Sequence, residues 1–401
     1  SPELMLPKIL QIVEEAPEVY KAADQILEAG DWLTQCMTGS KKRAADLAGY
    51  KAMWNQEKGY PPKDFLEELT PLLTNLVEEK LSEDIVMAGE SVGNLNKEWA
   101  EKLNLMEGIP VAATLIDSHA GIPGSGVVRP EQLMLVVGTS SVMLSPSSKE
   151  YFKNGIVSGV KGAIVPEYYV LESGIAAVGD MFGWFVDHMV SEEYAEKAKA
   201  EGKNLHVYLT EKASELKPGE SGVVALDWWN GNKTPYVDGR LSGVLVGCTL
   251  NTKSEEIYRA LIEATAFGTR KIVEMYKEAN PDIRMIIASG GIAEKNPLFM
   301  QIYADVLNCE IRLSATDQTA ALGSAIYAAV AAGKANGGYD SVEEAVKNMS
   351  HLKEKKYTPI PENVKMYNEL FDIYCELIRI FDPNKTSVMS RILHMKQKNE
   401  E

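Results

Sequence analysis

One carboxylate in this sequence stands where a base would be useful. Asp117 follows Ile109-Pro-Val-Ala-Ala-Thr-Leu-Ile116, an apolar run of buried-strand length. Open α/β sheets place their sites beyond the carboxyl ends of their strands, so Asp117 could take the proton of a hydroxyl. It could equally cap the turn Asp117-Ser-His-Ala-Gly121. Two turns could hold a phosphate. Gly138-Thr-Ser-Ser141 lies between the apolar runs Leu133–Val137 and Val142–Leu144, where glycine admits close backbone approach and N–H groups and hydroxyls converge; an ordinary polar hairpin has the same pattern. Ser289-Gly-Gly291 lies between a strand and a helix start, a place that attracts anions, though the full dinucleotide fingerprint is absent and a plain turn would read the same way. Gly323 interrupts an Ala-rich helix at a cost of about 1 kcal/mol relative to Ala, which implies close packing there by a neighbouring helix or a flat ring. His119 invites a metal or triad reading, but the five histidines, at 119, 188, 206, 351 and 394, have no ligand spacing, and no metal site is expected. No G-x-x-x-x-G-K-[ST] loop is present.

The elements that must position these residues are α/β in character. Helical spacing runs from Lys8 to Thr38, broken at Pro17, and returns in a polar segment around Glu98–Leu105. A hairpin is expected across Gly138–Ser141, then a strand Tyr168–Leu171 leading into Glu172-Ser-Gly, and a helix Ala176–His188. A long helix from Ser254 to Ala279 ends at Asn280-Pro281 as stop signals predict. Arg284–Ala288 is a strand, and Asn296-Pro297 supply an N-cap and a first-turn proline for a helix through Leu307. Strand Glu310–Leu313, helix Gln318–Gly333 and an amphipathic helix Glu362–Phe381 follow, with a frayed tail from Lys396 to Glu401. Strands alternating with helices predict an α/β sheet.

Composition narrows the function classes. The chain has 401 residues, 45% hydrophobic and 24% charged, which excludes collagenous, disordered and disulfide-scaffold classes and suits two domains. Its net charge of −16 argues against a nucleic-acid partner, since that affinity comes from Lys and Arg at phosphates. Four scattered cysteines, 36, 248, 309 and 375, form no zinc or disulfide pattern and fit a reducing cytoplasm. The longest nearly uncharged stretch, Ala320–Gly333, is too short to span a bilayer, so no membrane partner is expected.

Taken together, Asp117 after a strand, the Gly138-Thr-Ser turn, the long helix, Ser289-Gly-Gly-Ile-Ala-Glu-Lys-Asn296 and Ala321-Leu-Gly-Ser-Ala325 resemble the FGGY carbohydrate kinases. Pro7-Lys-Ile-Leu10, Gly49-Tyr-Lys-Ala52, Glu172–Asp180 and above all Ala225-Leu-Asp-Trp-Trp-Asn-Gly-Asn232, followed by Asp238 and Leu241-Ser-Gly243, are similar to the ribulokinase branch of that family. The resemblance implies an actin-like, ribonuclease H-like two-domain ATPase fold, divided as 1–122 (sugar-binding), 123–360 (nucleotide-binding) and a C-terminal helix and tail, 361–401. It implies phosphorylation of L-ribulose to L-ribulose 5-phosphate in L-arabinose catabolism, with ATP and Mg²⁺. Asp117 would be the catalytic base, with Lys51 and Glu172 contacting the ketose beside it. Gly138 and Thr139 would form a phosphate loop, and Gly179, Gly183, Gly290, Gly291 and Asn296 the wall that receives the nucleotide. Homo-oligomerisation stays open. The family's opening Asp-x-Gly-Thr loop does not occur ahead of these segments, so an incomplete first domain is expected, which leaves the activity of the chain as given open. The alternatives are a non-catalytic nucleotide or sugar binder, and a kinase of this family for another ketopentose or polyol.

Overall fold

Apolar runs that do not alternate with polar residues need cover on both faces, and they form the centre of the sheet that organises this molecule. The computed structural model describes residues 4–400. Its main sheet has six strands: β1 (Gln132–Val137), β2 (Ser141–Ser147), β3 (Tyr169–Ile175), β4 (Met285–Ser289), β5 (Glu310–Ser314) and β6 (Leu352–Tyr357), in the spatial order β6-β5-β4-β1-β2-β3. The central β4 is parallel to β5 and β1, with Ser289 opposite Val136. β2, β3 and β6 are antiparallel to their neighbours. Both β1 and β4 therefore end at one edge, where Gly138 and Gly290 begin their turns.

Seven helices bear on the site: α1 (Ala45–Ala52), α2 (Asp117–Gly124), α3 (Gly179–His188), α4 (Ser254–Ala279), α5 (Pro297–Leu307), α6 (Thr319–Ala332) and α7 (Pro361–Ile380). The long α4 is buried along most of its length. Its Tyr276 hydroxyl donates to the Met143 carbonyl at 2.9 Å, and Asn280, where the helix stops, donates to the carbonyls of Pro130 and Pro146. A buried Arg259–Glu263 pair on α4 is completed by the Tyr367 hydroxyl of α7, which accepts from Arg259 at 2.9 Å and donates to Glu263 at 3.0 Å. Such a pair avoids the cost of an uncompensated buried charge because each member is hydrogen-bonded.

Helices α2 and α6 cross almost backbone to backbone. A Cβ on Gly323 would lie 1.6 Å from the Ala120 carbonyl oxygen, and one on Gly124 would lie 1.9 Å from that of Thr319. Helix packing, and not a ring, thus accounts for Gly323. The residues before α2 form short helices and two two-stranded sheets, Arg43–Ala44 beside Ile85–Val86 and Ser91–Asn94 beside Pro110–Ala112. Arg43, fully buried, is paired with Asp31 at 3.1 Å, and Asp31 also accepts from the Ala44 N–H at the entry to α1. No helix among the described residues is long and apolar enough to cross a membrane.

Four expectations need correction. The run Ile109–Ile116 is a strand only over Pro110–Ala112; beyond it Ala113 N–H bonds to Glu90 and Ile116 N–H to the Asp46 side chain, so the ladder stops. The strand expected to end at Leu171 continues through Glu172 to Ile175, because the backbone of Glu172 is paired with Val157 and its position lies opposite Leu144. Helix α3 starts at Gly179 and not Ala176, where Val178 and Gly179 N–H groups are taken by the hairpin turn. Of the tail expected to fray from Lys396 to Glu401, the residues up to Glu400 belong to a helix, Val388–Glu400, and Glu401 lies outside the described residues.

Candidate active site

Three elements converge on one buried imidazole. Helix α2 begins at Asp117, whose exposed carboxylate accepts from the Ser118 N–H at 2.7 Å through Oδ1. Two residues on, His119 is fully buried. Its Nδ1 lies 2.6 Å from Asp46 Oδ1 on α1, and its Nε2 lies 3.2 Å from Glu172 Oε2 on β3. The second oxygen of Asp46 accepts from the Ile116 N–H at 2.7 Å. Asp46 and Tyr50 stand four residues apart and so share a face of α1; the Tyr50 ring meets the His119 ring edge-on, with centroids 4.5 Å apart. Room for that ring comes from Gly159, whose backbone is left-handed (φ +47°) and whose Cβ would overlap the Tyr50 ring at 2.0 Å.

Electrostatics follow from this arrangement. Burial works to deprotonate His119, but the facing Asp46 and Glu172 carboxylates outweigh it and push its pKa up to about 9. Burial also opposes ionisation of Glu172; the His119 hydrogen bond and charge, then Lys233 and Lys51, hold it below the usual carboxylate range. Lys51, in the last turn of α1, is thus close enough to Glu172 to act on its charge. Lys233 arrives from the loop after the double tryptophan, which is fixed beside β3 by Thr234: its hydroxyl bonds to Ser173 and donates to the Gly155 carbonyl.

The phosphate-binding candidates gather a short way along β3. Gly174 of β3 packs so tightly on Ser141 that a Cβ would lie 2.1 Å from its carbonyl oxygen. At the Gly138–Ser141 turn, the Thr139 carbonyl accepts from Val178 N–H at 2.8 Å and the Gly138 carbonyl from Gly179 N–H at 3.0 Å, joining the hairpin to the start of α3. Gly290 (φ +101°) closes from the other side, where a Cβ would lie 2.3 Å from the Val137 carbonyl oxygen. Gly183 and Gly291 face open space. Gly138, Thr139, Gly179, Gly290 and Gly291 are thus brought together at the carboxyl edge of β1 and β4. Asn296 is spent mainly on structure: its Oδ1 caps α5 by accepting from Phe299 N–H, and its Nδ2 donates to Thr210. One N–H and one lone pair of that amide remain.

Of the double tryptophan, Trp228 is fully buried in the core, whereas Trp229 is half-buried and meets the exposed Trp184 of α3 at 5.8 Å between ring centroids. Asp227 before them is buried against Gly268 of α4; burial pushes its pKa up to about 6 despite the Tyr374 hydroxyl that donates to it at 2.7 Å. Among the described residues no three His, Cys, Asp or Glu side chains gather as a metal site.

Sequence reasoning missed Asp46, Tyr50 and Lys233 and set His119 aside. A signal was present: a histidine two residues after a candidate base, and an Asp four residues before the Tyr of Gly49-Tyr-Lys51.

Comparison with known proteins gives the family. Residues 2–124 match the N-terminal domain of the FGGY family of carbohydrate kinases, and residues 133–332 match its C-terminal domain. The chain belongs to the FGGY carbohydrate kinases. A ribulokinase of Bacillus licheniformis is 47% identical over 396 residues, covering 99% of this chain and 72% of the relative. One of Halalkalibacterium halodurans is also 47% identical, covering 99% and 70%. Among solved structures, xylulose kinase from Rhodospirillum rubrum superposes with a TM-score of 0.79 at 22% identity, over 96% of this chain and 73% of that one. Plasmodium falciparum glycerol kinase with ADP gives 0.74 at 17% identity, over 92% and 70%. The mixed sheet and its flanking helices are therefore the actin-like fold of the FGGY sugar kinases, whose members are ATP-dependent phosphotransferases.

Proposed function

We propose that this FGGY kinase phosphorylates L-ribulose on its 5-hydroxyl, with Asp117 as the general base and MgATP as the phosphoryl donor. The carrying observation is the Asp46–His119–Glu172 chain, which ties the helix that starts with Asp117 to the strand that carries Glu172. Identity of 47% with a ribulokinase across nearly the whole chain supports the choice of sugar.

In this reading Glu172 and Lys51 hydrogen-bond the ketose and present one hydroxyl to Asp117. As the hydroxyl oxygen bonds to the γ-phosphorus, its proton passes to Asp117, the bond from γ-phosphorus to the bridging oxygen breaks, and ADP leaves. The Gly138 N–H donates to the Ser140 carbonyl within its own turn, so the Thr139 N–H and hydroxyl are the groups that cradle phosphate, and the open faces of Gly183 and Gly291, beside the close-packed Gly179 and Gly290 and with Asn296, receive the nucleoside. Magnesium comes in with the nucleotide and offsets the phosphate charge. Residues 1–122 would then supply the sugar side, 123–360 the nucleotide side, and 361–401 the closing helix. Positioning and fixed charge carry such a reaction, since the protein has little covalent chemistry to do.

The test is coupled ADP release with L-ribulose, D-ribulose, D-xylulose and glycerol, alongside calorimetry of each sugar and of a non-hydrolysable ATP analogue. The highest kcat/KM for L-ribulose supports the proposal. A preference for another sugar would move the assignment within the family, and binding of nucleotide and sugar without ADP release would favour a binding module.

A further inference from the structure

The hydrogen bonds around Asp117 form a bracket. Asp46 uses one oxygen on the Ile116 N–H and the other on His119 Nδ1, so a single carboxylate from α1 grips the chain on both sides of Asp117. His119 then reaches across to Glu172 on β3. Both ring nitrogens face carboxylate oxygens, and a neutral imidazole has only one N–H. Its other nitrogen would present a lone pair to a carboxylate within hydrogen-bond distance. The geometry is therefore that of an imidazolium donating in both directions, in a site closed by the Tyr50 ring.

We propose that His119 is a positioning residue of the sugar site: as a two-way donor it fixes the Glu172 carboxylate for the ketose and, through Asp46, sets the start of the helix that presents Asp117. This rests on the sugar-site reading of Glu172 and Asp117 given above. Glu172 keeps a quarter of its side chain exposed while His119 holds one oxygen. A carboxylate anchored at one oxygen and open at the other is suited to accept a hydroxyl hydrogen bond in one direction only. The charged and titratable groups facing the imidazole are Asp46 and Tyr50 from α1 and Glu172 from β3; Lys51, Lys233 and Tyr276 of α4 act on Glu172, and Tyr327 of α6 acts on Asp46.

The test compares His119→Asn, whose amide reaches only toward Asp46, with His119→Gln, whose longer amide can still donate to Glu172, and with Glu172→Gln as the site control. Loss of a hydrogen bond to a charged group corresponds to about a 10- to 100-fold weaker sugar dissociation constant in His119→Asn. Partial recovery is expected in His119→Gln, with ATP-analogue affinity within twofold of the parent. Sugar affinity of the parent should be flat from pH 6 to 8 and weaken through pH 9, a break absent from His119→Gln. If Glu172→Gln weakens sugar binding while both His119 variants bind normally, the positioning role is overturned and the site reading stands. If Glu172→Gln is itself silent, the site reading fails first. Should His119→Asn not fold, histidine-selective ¹⁵N labelling of the parent decides: both ring nitrogens protonated at pH 8 is the expected result, and a neutral imidazole there would overturn the proposal.

Discussion

Gly323→Ala is the substitution for which the structure and simple propensity give opposite signs. At an exposed helix position Gly→Ala stabilises by about 1 kcal/mol. Here the added methyl would lie 1.6 Å from the Ala120 carbonyl oxygen and close to the Gly124 backbone nitrogen. Neither neighbour is a flexible side chain, so α2 and α6 must part by more than an ångström to restore contact distance. Overpacking of this kind costs about 1–3 kcal/mol, and a backbone obstacle belongs at the upper end, leaving a net loss of about 2 kcal/mol after the propensity gain. With an unfolding entropy of about 2 cal/mol/K per residue over a chain of this size, that lowers Tm by roughly 2–3 °C. Because α2 begins with Asp117, the displacement should also reach the chemistry, so kcat should fall while ATP-analogue affinity holds. The measurements are differential scanning calorimetry and a coupled assay on parent and variant. A raised Tm with unchanged turnover would refute the close-crossing argument.

Three further predictions follow from charge and backbone geometry. Asp31→Ala leaves the fully buried Arg43 with the Tyr60 hydroxyl but no carboxylate to balance its charge and should destabilise by about 3–5 kcal/mol, read by urea denaturation; an unchanged midpoint would mean that the pair is dispensable. Gly290→Ala places a methyl against the Val137 carbonyl in a left-handed backbone (φ +101°), so nucleotide-analogue affinity should fall at least tenfold while sugar affinity stays near its parent value; equal loss of both would indicate general unfolding. The His119 pKa is raised to about 9 from its ordinary value near 6.5. Its contribution of about 3 kcal/mol is full below pH 6.5 and disappears as pH rises through 9, so the parent's urea midpoint should decline over that window and that of His119→Asn should not. Parallel declines in the two would disprove the assignment.

Local patterning carried much of the fold. The Ser254–Ala279 helix, the Gly138 hairpin and the strand–turn–helix from Met285 to Leu307 were legible because their stops and caps are local: Asn280-Pro281, Gly138 and Asn296-Pro297. The apolar run before Asp117 misled because Ile116 gives its N–H to a side chain 70 positions earlier, which no local pattern reports. Glu172 lay beyond the expected end of its strand since a charged side chain reads as a terminator; the backbone pairs regardless, while the side chain turns to His119. The partners of the imidazole at the centre of the site were hidden for the same reason, although its place two residues after Asp117 was in view. Its partners, Asp46 and Glu172, stand 73 and 53 positions away, and spacing within a sequence cannot register a pair that only the packing of α1 and β3 on α2 creates.

The most direct test of the central claim is a paired measurement on Asp117→Asn: calorimetric binding of a non-hydrolysable ATP analogue and of L-ribulose, beside ADP release with MgATP. Removing a general base lowers turnover by about 10²–10⁴-fold, and the account predicts that loss with both affinities within a few-fold of the parent, since Asn keeps the size of the side chain and the Asp46 bracket is untouched. Turnover within tenfold of the parent would contradict it, because the proton would then have another acceptor and Asp117 would not be the base.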